Sequence, residues 1–138
     1  MIYVDGNITK NFTVAEIANN SADDLCKLVF TPELVSFAAL LQTLRDQYGK
    51  PLNVNSWYRT AEFNKRIGGS SNSLHLQGRA VDLAVSSRSE QDYLVKLWKK
   101  ICSANNRIGG ANLYPTFIHL DDFENFFGYD SFVVREKR

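Results

Sequence analysis

The chain has 138 residues, 44% hydrophobic and 22% charged, with sixteen Lys and Arg against fifteen Asp and Glu. A length near the usual domain size predicts a single domain over 1–138, with enough core to fold without disulfide staples. The net charge of +1 argues against the field of a nucleic-acid-binding surface, and no apolar run is long enough to span a membrane.

Thr13 and Glu16 fit the S/T-x-x-E capping box, so a short helix is expected there, with Phe12 as the apolar residue before the cap. Thr31 and Pro32 open the clearest helix: threonine caps it, and proline sits where its missing N–H costs nothing. Leu34, Phe37, Ala38, Leu41 and Leu44 form one apolar stripe, and Gly49 ends the helix. Residues 51–56 alternate apolar and polar, which predicts a half-buried strand. A short helix over 60–67 stops at Gly68 and Gly69, and the small residues of 70–73 form a loop. Residues 80–85 read as a second strand, with Asp82 among apolar neighbours. Ser87 and Glu90 form another capping box, and Leu94, Leu97, Trp98 and Ile101 are the core stripe of the helix that follows. A turn at Gly109 and Gly110 leads to a third strand over 117–121, and nothing is assigned beyond Asp122. Helices interleaved with strands in this order predict an α+β fold, an antiparallel or mixed sheet with helices packed on one face.

Cys26 and Cys102 belong to no C-x-x-C pair and read as small apolar core thiols, with a disulfide left open because sequence gives no distance between them.

The histidines, His75 and His119, stand in unusual company. Asp82 follows His75 by seven residues and lies in an apolar strand, where a carboxylate is costly to bury without a cation. Asp121 follows His119 by two, so the two side chains share one strand face. Two imidazoles and one carboxylate with a position left open describe a catalytic zinc site, whereas Mg²⁺ and Ca²⁺ prefer oxygen shells. The competing reading pairs Asp82 with Arg59, Arg66 or Arg79 and leaves the histidines as filling.

The run Ser73, His75, Gly78, Ala80 and Asp82 matches S-x-H-x-x-G-x-A-x-D without a gap. It resembles zinc peptidases of the D-Ala-D-Ala carboxypeptidase and L-Ala-D-Glu endopeptidase type, a family that includes VanY-like enzymes and phage endolysins and shares its fold with the Hedgehog signalling domain. The resemblance covers about residues 11–123, from the segment around Phe12 and Glu16, through the helix around Leu41 and the stretch Ser56, Trp57, Tyr58, Arg59 and Thr60, to Tyr114, Pro115, Phe117, His119 and Asp121. It implies His75, Asp82 and His119 as zinc ligands and peptidoglycan peptides as substrate. Asp121 is the expected catalytic base, with ligation by Asp121 and support by His119 as the alternative and Asp122 as a weaker substitute. Arg59 fits the family's arginine near the substrate, as a catalytic or anchoring group, against a surface ion pair with Glu62. Ser73 is expected to orient the His75 ring or to meet substrate, and Gln77 to meet substrate. The chain departs from better-known branches in having Thr116 where they place an acid three residues before the final histidine, and His119-x-Asp121 where others have two histidines. The expectation is a monomeric peptidase acting on the cell wall. The lack of a secretory pattern at the N-terminus suits a phage or prophage lysin released by a holin, or a signal outside this stretch. The alternative is a non-catalytic zinc module of Hedgehog-like fold that binds the wall or a protein partner.

Overall fold

The computed structural model describes residues 6–19, 21–122 and 131–138. The chain begins with a small antiparallel pair, β1 (Asn7–Thr9) and β2 (Phe12–Thr13), then α1 (Val14–Ile17), α2 (Ala22–Lys27) and α3 (Pro32–Tyr48). β3 (Val54–Ser56), α4 (Ala61–Arg66) and a 3₁₀ turn (Leu74–Gln77) precede β4 (Ala80–Ala84) and α5 (Arg88–Ala104). β5 (Gly110–Leu113), β6 (Phe117–Asp121) and β7 (Val133–Glu136) complete a five-stranded sheet of order β3-β4-β6-β5-β7. Its first four strands are antiparallel neighbours, and β7 adds to β5 in parallel, so the sheet is mixed and the expected α+β class holds.

Local chemistry explains the helices. Thr31 Oγ1 accepts the N–H of Leu34 at 3.1 Å, Pro32 occupies the first turn, and Gly49 closes α3 in the left-handed conformation, φ 78°. Both arms of the Thr13–Glu16 capping box are made. At α5 the box is shifted by one residue: Ser87 caps Glu90 N–H, while the Glu90 carboxylate takes the N–H of Ser86.

Sheet pleating then sorts the side chains. Val81, Leu83, Ala111, Leu113, Ile118 and Leu120 enter the main core, with Leu34, Phe37, Leu41 and Leu44 of α3 and Leu94, Trp98 and Ile101 of α5. A chain of edge-on rings runs through that core, Phe12 to Trp57, Trp57 to Phe37 and Phe37 to Trp98, with centroids 5.9, 5.8 and 5.7 Å apart. Such contacts contribute about 0.5–1.5 kcal/mol each beyond burial. The opposite face of the sheet carries Asp82, His119 and Asn112, which stand in register across β4, β6 and β5.

The structure differs from the sequence expectation in several places. The 51–56 strand shortens to Val54–Ser56, and β1, β2, α2, β5 and β7 were not expected. Cys26 is exposed and Cys102 buried, both as free thiols, so the disulfide is excluded. Residues 1–5 and position 123, the end of the family-like span, lie outside the described residues.

Gly78 has a testable role. It ends the 3₁₀ turn at φ 68°, and a Cβ added there would stand 2.5 Å from Leu34 Cδ1 and 2.9 Å from Leu34 Cγ. Leu34 is itself buried and cannot simply withdraw. Gly78→Ala is therefore expected to destabilise the fold by about 1–3 kcal/mol, seen as a lower denaturation midpoint with an unchanged slope.

Candidate metal centre and cleft

β4 alternates Val81 and Leu83 into the core with Ala80, Asp82 and Ala84 on the other face, so Asp82 lies between two small side chains. Asp82 is nevertheless 7% exposed, because the loop carrying His75 closes over it. That loop is pinned by backbone contacts. Ser73 Oγ accepts the N–H of His75 at 3.2 Å, Arg59 N–H donates to the His75 carbonyl at 3.0 Å, and Trp57 Nε1 donates to the Gly78 carbonyl at 2.8 Å.

One contact sets the His75 ring. Its Nδ1 lies 2.6 Å from the Trp57 carbonyl oxygen. A carbonyl only accepts, so Nδ1 carries the proton and, in the neutral ring, Nε2 carries the lone pair. That Nε2 is buried without a hydrogen-bond partner, 3.3 Å from Asp82 Oδ1. His119 is arranged alike: its Nε2 meets Asp121 Oδ2 at 2.9 Å, and its Nδ1 stands 3.1 Å from the same Asp82 Oδ1. Each imidazole spends one nitrogen on a fixed acceptor and turns the other onto one carboxylate oxygen.

His119, which has a carboxylate at each nitrogen, turns a lone pair to Asp82 only when its proton is given to Asp121. The His75 lone pair facing the Asp82 carboxylate needs a cation between the two. Without a metal a proton fills that role: burial opposes charging His119, but Asp121 and Asp82 outweigh it and raise its pKa to about 9. Burial likewise disfavours the Asp82 carboxylate, yet His119 and His75 hold it well below the usual range. A metal fits better. In a tetrahedral shell with bonds of about 2.0–2.2 Å, neighbouring ligand atoms stand about 3.4 Å apart. The Asp82-to-imidazole separations of 3.1 and 3.3 Å approach this spacing, and ligand atoms of all three residues lie within 4.8 Å of one another. Two imidazoles and one carboxylate form a donor set that suits zinc more than magnesium or calcium.

The centre lies on a cleft of about 660 Å³. Arg59, Ser73, Tyr114, Phe117 and Arg135 are among its walls, and Tyr114 and Phe117 stack with centroids 4.3 Å apart. Arg59 Nη2 stands 3.4 Å from Asp82 Oδ2, while Glu62 pairs with Lys27, so the surface Arg59–Glu62 pair does not form. Arg79 is committed elsewhere, to the buried Asp122 at 3.0 Å, and Arg66 lies over the Phe63 ring. Asp122 is thereby held in a structural ion pair and does not line the cleft.

The sequence reading needs two adjustments at the cleft. Ser73 lines it, but its hydroxyl positions the His75 backbone and the Trp57 carbonyl orients the ring. Gln77 is exposed and absent from the cleft wall. Thr116, at the position where an acid was sought, is exposed in the β5–β6 turn, its carbonyl accepting Val85 N–H. In the sequence Trp57 stood out only as part of the family-like stretch before the site, since a backbone acceptor leaves no signature in residue type.

An α+β domain that gathers two histidines and an aspartate on the floor of an open cleft has the form of a metal-dependent hydrolase. The chain belongs to the peptidase M15 family, which it matches over residues 10–121, a span that contains His75, Asp82 and His119. It is also similar to the zinc D-Ala-D-Ala carboxypeptidase of Streptomyces albus G, 43% identical over 49 residues that cover 35% of this chain and 19% of that protein.

Proposed function

We propose that the protein is a zinc-dependent peptidase that hydrolyses an amide bond in peptidoglycan stem or cross-link peptides, acting on the cell wall. The observation that carries this reading is the convergence of two imidazole nitrogens, one of them buried without a hydrogen-bond partner, on a single oxygen of Asp82. His75, Asp82 and His119 hold the ion. Bound there, zinc supplies Lewis acidity and lowers the pKa of a coordinated water from 15.7 to about 7.

The chain's own residues supply the rest. Trp57 O and Asp121 Oδ2 fix the two rings, so the ligand nitrogens are aimed before the ion arrives. Arg59 presents a guanidinium in the cleft wall, a planar fork suited to a substrate carboxylate or a polarised carbonyl. Asp82 and Asp121 are the carboxylates among the described residues lining the cleft. With Asp82 holding the ion, Asp121 is the group left to receive a proton and return it to the leaving amine.

Turbidity loss of purified cell walls tests the reading. Lysis is expected to stop on adding a chelator and to return with added zinc, and mass spectrometry of the released fragments identifies the bond. Release of single terminal residues marks a carboxypeptidase, and release of cross-linked or stem fragments an endopeptidase. Wall binding without lysis at any zinc concentration would replace the enzyme with the Hedgehog-like binding module.

A further inference from the structure

The group that aims His75 is itself held. The peptide unit joining Trp57 and Tyr58 offers its carbonyl to His75 Nδ1 at 2.6 Å and its N–H to the Ile17 carbonyl at 2.9 Å. In a trans peptide these two groups point in opposite directions, so the end of α1 and the metal loop grip one plane from its two sides. Asn19 makes the remaining contacts. Its Oδ1 accepts the Trp57 N–H at 2.8 Å, and its Nδ2 donates to the Tyr58 carbonyl at 2.6 Å. Every backbone polar group of Trp57 and Tyr58 therefore has a partner, and one side chain supplies half of them. The match is directional: an amide can turn its oxygen to an N–H and its nitrogen to a carbonyl, and a carboxylate, with oxygens only, cannot.

A strained turn carries this side chain. The Asn19 N–H returns to the Glu16 carbonyl at 3.1 Å, closing α1. Its φ of 57° is left-handed, a conformation that among the described non-glycine residues only Asn106 shares. Asparagine enters that region more readily than most residues, yet glycine would do so without cost. What asparagine adds at this position is the amide and its two long-range contacts. Packing of the Trp57 ring fixes the Trp57 Cα, whereas the direction of its carbonyl depends on ψ, which the contacts to Ile17 and Asn19 set.

We propose that Asn19 is a positioning residue for the metal centre. By clamping Trp57 and Tyr58 it holds the Trp57 carbonyl on His75 Nδ1, and so keeps Nε2 aimed at the ion. The proposal rests on the reading of His75, Asp82 and His119 as zinc ligands and is independent of the bond that is cut.

Asn19→Gly tests it, since glycine keeps the left-handed turn and removes the amide. Zinc affinity is measured by competition with a chromogenic chelator, and the His75 Nδ1–H is followed by NMR on isotope-labelled protein. Asn19→Gly is expected to weaken zinc binding about tenfold, the lower end of the effect of losing contacts that orient a metal-bound histidine. The Nδ1–H signal should broaden or vanish through exchange with water. Asn19→Asp, which keeps the size but sets an oxygen against the Tyr58 carbonyl, is a second variant with the same expected loss. Thr13→Ala is the control: it removes the cap that Thr13 makes with Glu16 at the opposite end of α1. It should lower the melting temperature and leave zinc affinity and the Nδ1–H signal unchanged. Unchanged zinc affinity in the Asn19 variants, a persistent Nδ1–H signal, or losses that Thr13→Ala reproduces each overturns the proposal. Should the parent protein bind no zinc, the metal reading fails and the signal alone decides: its loss in Asn19→Gly keeps the clamp on His75, and its persistence overturns it.

Discussion

Asp82→Ala is expected to leave the protein without stoichiometric zinc and to lower wall hydrolysis beyond the about 10²–10³-fold that loss of one electrostatic stabiliser costs. Its Oδ1 is the point on which His75 Nε2 and His119 Nδ1 converge at 3.3 and 3.1 Å, and its Oδ2 faces Arg59 at 3.4 Å. Removing it takes away a metal ligand and also the counter-charge of the half-buried Arg59 guanidinium. Breaking a buried charge cluster from one side costs about 3–5 kcal/mol, so a lower melting temperature should accompany the loss of metal. Asp82→Asn separates the two effects, since the amide keeps the volume and one oxygen but not the charge. The Asn variant should fold, as judged by circular dichroism, and hold zinc weakly by elemental analysis. Retention of one zinc per chain in either variant at limiting metal would show that the ion is not held at Asp82. In the parent protein a chelator should lower the melting temperature and added zinc restore it, because a ligand bound only by the folded state adds stability.

The site was legible in the sequence because its signals are local and rigidly spaced. His75 and Asp82 are separated by a left-handed glycine and a strand, and a loop-to-strand step of that length leaves few ways to place the pair. His119 was legible because Phe117–Asp121 alternates, and the same alternation places Asp121 beside it. The helices were read from their caps, and Thr31, Pro32 and Gly49 act as their residue types require. What sequence did not disclose is non-local. β5 is only four residues, with glycine, alanine and asparagine in place of branched residues, so Gly109 and Gly110 read as a bare turn. It is a strand because β6 and β7 pair with it on both sides. β7 pairs in parallel with β5, a long-range contact that no hairpin signal announces, and Arg135 had no visible relation to the site. Asp122 looked like a spare acid for the reaction, but Arg79, distant by 43 positions, holds it in a buried pair. Backbone acceptors such as Trp57 O come from chain path alone, which is why the group that orients His75 was sought in Ser73.

Asp121→Asn is expected to lower wall lysis by about 10²–10⁴-fold, the usual contribution of a general acid–base group, while zinc stays near one per chain. The two carboxylate oxygens have different surroundings. Oδ2 accepts a hydrogen bond from His119 Nε2 at 2.9 Å, and Oδ1 is buried without a hydrogen-bond partner. The side chain is 3% exposed, opposite Ala80, where a larger residue would crowd it. An asparagine oxygen can still accept from His119, so the ring keeps its aim and the ion its ligand, but an amide cannot carry a proton from water to the leaving amine. Asp121→Ala removes both functions, and its zinc affinity should fall about 10–100-fold, the typical effect of losing the partner that orients a metal-bound histidine. Measured together, the pair divides the two roles. Zinc retained with lysis lost in the Asn variant assigns proton transfer to Asp121. Lysis within about tenfold of the parent in the Asn variant, with weaker zinc in the Ala variant, confines Asp121 to orienting His119 and moves the proton acceptor to another group.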